Sequence, residues 1–318
     1  MLKTLVGALV AGAYPGAMPY PSELDQRDDD PFWRRHELPT WGVAAAIYGG
    51  YVLLTWQHEA LPWWLVSALG AWLLCWHASL QHEAIHGHPT ASSRLNAFIA
   101  GVPLGLWLPY PIYRRWHIAH HRAAILTAPA CDPESFYVSA AAWRRAGRVR
   151  RRLLVWRNTL AGRLLLGPPW LVGAFLRDEL ILLLSGERRH LAAWLWHLSS
   201  ALAVLGWLWL VELPLWFYLV GMLWPALSLT LLRSFHEHRP ASMRAAASLT
   251  LHASTPLALL FLNNNLHAAH HARPRLAWYE LPRYQRRHRP ESDYVLRGYH
   301  TLFRRYLLRP RDAPVHPG

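Results

Sequence analysis

The 318-residue chain reads as an all-α integral membrane protein: four transmembrane helices in two hairpins, carrying a cytoplasmic helical cap. Three observations predict this. Hydrophobic residues make up 53% of the chain and charged residues only 16%. All 33 Lys and Arg fall within 1–40, 81–190 and 233–318, so that 41–80 and 191–232 contain none. Each of those gaps is about twice the ~20 residues that a helix needs to cross a bilayer. The 19 Trp, many near the expected span ends, suit a headgroup belt better than four buried helices of a soluble protein.

The elements follow in chain order. Residues 1–40 read as an irregular cytoplasmic arm containing Asp28-Asp29-Asp30. Its start has the form of a short signal peptide, with Lys3, an apolar run and Ala11-Gly12-Ala13. Export would contradict the charge pattern, so it reads as a peripheral segment. Residues 41–318 form a single membrane domain. Its first hairpin is 41–56 and 61–80, joined by Gln57-His58-Glu59-Ala60; its second is 191–211 and 215–232, joined by Glu212-Leu213-Pro214. The turns carry no Lys or Arg and every flank does, which puts both termini and the cap, 81–190 and 233–318, in the cytoplasm. Residues 95–110 are apolar but broken by Gly101, Pro103, Gly105 and Pro109, and predict an interfacial or re-entrant piece. Residues 164–184 and 248–262 predict amphipathic helices on the membrane surface. Cys75 falls in a span and Cys131 in the cap, so no disulfide is expected.

A net charge of +14 would suggest nucleic acid in a soluble protein. Here the Arg-rich run 143–152 fits membrane lipid headgroups or an acidic redox partner, and no nucleic-acid partner is expected. The 32 Arg against one Lys point to a GC-rich genome, hence to a bacterial inner membrane.

Three histidine clusters carry the chemistry: His82-Glu83-Ala84-Ile85-His86, His117-Ile118-Ala119-His120-His121 and His267-Ala268-Ala269-His270-His271. Offsets of three and four share one helix face, so each cluster can aim its rings at one point. Eight imidazoles are too many for one zinc, which takes about four ligands. They suit a pair of transition metals, and iron is the one that also activates oxygen. The first cluster also fits H-E-x-x-H, the zinc peptidase helix, but that reading leaves the other two clusters without purpose. Glu83xxHis86 and Glu187xxHis190 formally match a carboxylate-bridged di-iron bundle, in a chain poor in Glu. A metal transporter would want ionisable groups in mid-membrane, which the spans lack. His88, six residues after His82, points away from the cluster. His58, His77, His190, His197, His252, His288, His300 and His316 read as ordinary polar residues.

With its flanks, the pattern resembles the membrane fatty acid desaturase superfamily, bacterial acyl desaturases in particular. The matching stretches are 82–89, 116–122 and 263–274, with Asp132-Pro133-Glu134-Ser135 and 233–239. The resemblance implies a di-iron centre as cofactor, molecular oxygen as co-substrate and a lipid acyl chain in an apolar tunnel. It implies a desaturase or, alternatively, a lipid or carotenoid hydroxylase or ketolase. No fused iron–sulfur or haem motif is present, so electrons would come from a ferredoxin or a reductase. The family pattern has an extra histidine after the last span. His236 and His238 compete, and on a helix they would point about 200° apart; Glu237-His238-Arg239 matches the related sequences and selects His238. His236 then reads as an interfacial polar residue. The expected ligands are His82, His86, His117, His120, His121, His238, His267, His270 and His271. Their far nitrogens need partners. Glu83, Asp132, Glu134 and Glu237 are candidates, as is Asn264 if the third-cluster helix extends backward.

Overall fold

A computed structural model describes residues 30–240, 247–288 and 295–317. The expected arm therefore falls largely outside the described residues. Its last part is not irregular: it forms α1 (Phe32–Arg35) and the start of α2 (Leu38–Trp56). There follow α3 (Trp63–Ile85), α4 (Ser93–Ala100) and α5 (Tyr110–Arg122). Next come α6 (Ala140–Arg145), α7 (Arg148–Arg157), α8 (Leu160–Leu165) and α9 (Gly167–Leu184). The chain continues through α10 (Arg188–Leu210) and α11 (Leu215–Ser234). It closes with β1 (Thr250–His252), α12 (Thr255–Leu260), α13 (His267–Ala272), α14 (Leu281–His288), β2 (Val295–Arg297) and α15 (Tyr299–Tyr306).

Four of these helices, α2, α3, α10 and α11, are long and apolar enough to cross a membrane. The turn between α10 and α11 shows how the sequence stops a helix without glycine. Glu212 takes a left-handed φ of 57°, and the Leu213 amide returns to Leu208 O at 3.0 Å while that of Glu212 reaches Trp209 O at 3.1 Å. Leu208 and Leu213 are both buried and complete this closing motif. Pro214 then caps α11, where a missing N–H costs nothing. Around the two turns Trp56, Trp63, Trp64, Trp209 and Trp216 are 57–81% exposed, a ring of indoles at one end of the bundle.

α3 packs chiefly on α2 and α11, while α10 leans on α5 and α9. Between them lies the broken stretch after α4. Side chains from three spans hold it and the end of α4: Tyr48 donates to Ile99 O in the last turn of α4, Tyr218 to Leu104 O at 2.6 Å, and His197 Nε2 to Leu106 O at 3.1 Å. Irregular backbone among membrane helices is tolerated where protein groups satisfy it, as here. Tyr218, at the turn end of α11, shows how deep the piece runs.

The structure corrects two expectations. The fold is not purely helical, because β1 and β2 form a short parallel pair, Thr250 opposite Val295. Residues 248–262 are accordingly not one amphipathic helix but a strand followed by α12. A helix through 248–262 would need a 3.6-residue apolar stripe, and the local pattern instead buries 247–251 continuously. In 164–184, the paired prolines Pro168 and Pro169 start α9 rather than break it, with Leu176, Leu180 and Leu184 exposed on its outer face. Cys75 and Cys131 are both free thiols.

Candidate metal centre

The first cluster rides on the last turn of α3. His86 caps that helix, Gly87 turns with φ +101°, and the His88 amide returns to Glu83 O at 3.2 Å. Glycine is needed there because a Cβ disfavours this conformation. The second cluster ends α5, whose first turn is set by Pro109 and Pro111. The third is α13 itself. It does not extend backward: Leu262 and Asn263 have φ of 46° and 56°, which a right-handed helix cannot include. Asn264 nevertheless reaches the cluster, its Oδ1 accepting from His267 Nδ1 at 3.0 Å.

The rings gather into two groups. His82, His86, His117, His121 and His270 form one; His120, His238, His267 and His271 form the other. Within each, the potential ligand atoms lie within 4.8 Å of one another. Every histidine named from the sequence as a ligand is in one of the two. What the sequence does not reveal is how the clusters divide. On a helix, rings at i and i+4 lie about 40° apart and the i+3 ring falls about 60° to the other side. In α5, His117 and His121 accordingly share the five-ring group and His120 crosses to the other. In α13, His267 and His271 share the four-ring group and His270 crosses. Each of these helices thus joins the two groups, and the His121 and His271 rings stack across them with centroids 4.3 Å apart.

The donor set fits metal ions. In the five-ring group His117 Nε2 lies 2.9 Å from His86 Nε2 and 3.1 Å from His121 Nε2. In the other, His238 Nε2 lies 2.9 Å from His267 Nε2 and 3.0 Å from His120 Nε2. Nitrogens about 2.1 Å from a common metal and at right angles to each other are about 3.0 Å apart. The outer nitrogens fix the tautomers. His117 Nδ1 donates to Glu134 and His120 Nδ1 to Asp132, each at 2.9 Å, which leaves Nε2 free to face inward. Asp132 also accepts the amides of Thr127 and Glu134. Asn264 passes the link onward, its Nδ2 donating to Glu237, which pairs with Arg233 at 2.7 Å. Burial, then the neighbouring imidazoles, hold His86, His121, His267, His270 and His271 well below the usual histidine range. They are therefore neutral, the state a ligand must have. Loss of water alone would raise the Glu134 carboxyl, but His117 and His120 outweigh it and hold it down to about 2.

A sequence model of the family described as fatty acid desaturase matches residues 58–303. This chain belongs to that family. No curated protein matches it. Family membership makes the histidine boxes those of an oxidoreductase of the desaturase type.

The other named histidines are placed apart from the two groups. His236 is buried at 3% exposure rather than interfacial, because the chain turns back into the protein after α11. His88 is no ligand but is buried too: its Nδ1 lies 2.7 Å from Glu37 Oε1 and its Nε2 3.1 Å from Arg275 O. Glu83 accepts the Trp278 amide at 3.1 Å, and Trp278 Nε1 donates to Thr40. This network of Glu37, Thr40, His88 and Trp278 ties the first cluster to the segment after the third. Sequence reasoning missed it because its hydrogen-bonded pairs lie up to 238 residues apart. The one available signal was the second histidine of His86-Gly87-His88.

Proposed function

We propose that the protein is an oxygen-dependent di-iron fatty acyl desaturase that places a double bond in the acyl chain of a membrane lipid. The observation that carries this reading is the division of nine imidazoles into two adjacent groups, five and four, in a chain of the fatty acid desaturase family. Two irons bound there supply the oxygen-dependent oxidation of an unactivated methylene. The residues do the rest. His82, His86, His117, His121 and His270 would hold one iron, and His120, His238, His267 and His271 the other. Asp132, Glu134 and Asn264 orient the rings through Nδ1. Glu83, the base that a peptidase reading requires, is occupied by the Trp278 amide, which supports the oxidative reading over the hydrolytic one.

His82 lies on the last turn of a helix long and apolar enough to cross a membrane, which supports a substrate drawn from the bilayer. The absence of Lys and Arg from 41–80 and 191–232 supports a cytoplasmic site, and a ferredoxin or a reductase would supply the electrons. The test is the lipid profile of a host expressing this chain, set against His120→Ala. An acyl product lighter by two hydrogens, made only with oxygen and only by the unaltered chain, is the expected result. A product heavier by one oxygen assigns hydroxylation instead.

A further inference from the structure

His238 is the one expected ligand outside the three clusters, and it stands on no helix. α11 ends at Ser234, and residues 235–237 form a turn leading to an isolated bridge between His238 and Ser248. A ligand at the end of such a turn needs its backbone held from elsewhere, because ligand geometry depends on the groups that orient it. The bridge holds the backbone on either side of His238, and Arg311, 73 residues away, holds the His238 carbonyl itself. Its Nη2 donates to His238 O at 2.5 Å and its Nη1 donates to Phe235 O. The guanidinium is itself fixed. Nη2 also donates to Tyr137 Oη at 3.0 Å, and Nε donates to Asp312 at 2.7 Å, to which Tyr137 Oη donates at 2.8 Å.

Tyr137 belongs to the same loop as Asp132 and Glu134, the partners of His120 and His117. The Arg311 segment grips that loop at two more points. Val138 N donates to Pro314 O at 2.9 Å and His316 N to Val138 O at 3.0 Å. His316 Nε2 lies 3.1 Å from Thr127 Oγ1, and the Thr127 amide holds Asp132. Residues 311–316 thereby join the turn of His238 to the loop that orients His120. Both rings belong to the four-histidine group.

We propose that Arg311 is a positioning residue for that group, and that the 311–316 segment is part of the metal centre. This rests on the two-metal reading above. A planar guanidinium spans two carbonyls at once, which a lysine ammonium cannot do in the same geometry.

The experiment uses the full chain in detergent, loaded with iron-57, as wild type, Arg311→Ala, Arg311→Lys and Tyr137→Phe. Iron per chain and the Mössbauer spectrum are read alongside helical circular dichroism. The wild type is expected to hold two irons. Arg311→Ala is expected to lose one of the two, with the spectrum of the five-histidine site unchanged. Arg311→Lys is expected to behave as Arg311→Ala does, and millimolar guanidinium to restore the second iron to the alanine variant. Tyr137→Phe, which removes one tether only, is expected to weaken retention of that iron alone. Two irons with a wild-type spectrum in Arg311→Ala overturn the proposal. So does loss of both irons together with helicity, unrescued by guanidinium, which marks a purely structural arginine. A wild type that takes up at most one metal overturns the two-metal reading, and the proposal with it.

Discussion

At the scale of single residues, the choice between His236 and His238 is the sharpest. The structure puts His238 Nε2 within 3.0 Å of two other ring nitrogens and leaves His236 in neither group. His238→Ala reduces the four-histidine group to three. It is expected to lose one iron per chain and all product formation, while His236→Ala keeps both irons. Metal analysis of the two purified variants decides it, and equal loss in both would show the assignment to be wrong. Asp132 gives a second expectation. It is the acceptor that sets the His120 tautomer, and removing such a partner typically costs 10–100-fold in metal affinity. Asp132→Leu should therefore release iron to a chelator at about that much lower chelator concentration, with the five-histidine iron retained.

Elements were legible where their cause is local. The span ends follow from charge and proline, and the observed helices depart from the expected ones by a few residues. α3 runs on to Ile85, because the cluster continues its apolar face without a breaker until Gly87. The broken stretch 101–109 was recognisable as irregular from its glycines and prolines. That His197 and Tyr218 would satisfy its carbonyls was not, since those contacts span 91 and 114 residues. Tyr218→Phe leaves the buried Leu104 carbonyl without its donor. A loss of about 1–3 kcal/mol of stability follows. It should be seen as a lower unfolding temperature in detergent, with iron content unchanged. Gly87→Ala meets no neighbouring atom within 4 Å, so its cost is that of the backbone alone, about 1–2 kcal/mol. Here the loss should reach metal content as well, because Gly87 follows His86, which the proposed reading makes a ligand.

On the scale of the whole molecule, the two turns carry the exposed indoles and the histidine groups lie at the opposite ends of α3 and α11. With no Lys or Arg in 41–80 or 191–232, the turns are expected outside and residues 81–190 inside. A cysteine placed at Gln57 or Glu212 should react with an impermeant reagent added to intact cells, and one at Arg144 should react only after lysis. Labelling of Arg144→Cys from outside would reverse the topology and put the site on the other face.

The sequence by itself determined the four membrane helices, the family and the residues of the three boxes. Each is written in a local pattern: a run free of charge, or imidazoles three and four apart on one helix turn. Only the tertiary structure decided which rings share a group, that His238 joins the second group through a turn, and that β1 pairs with β2. It alone showed the Glu37–His88 contact and the grip of Arg311 on His238. Those features rest on contacts such as His238–His267, His238–Arg311 and His120–His238, which are 29, 73 and 118 positions apart, where no sequence period records which side chain meets which.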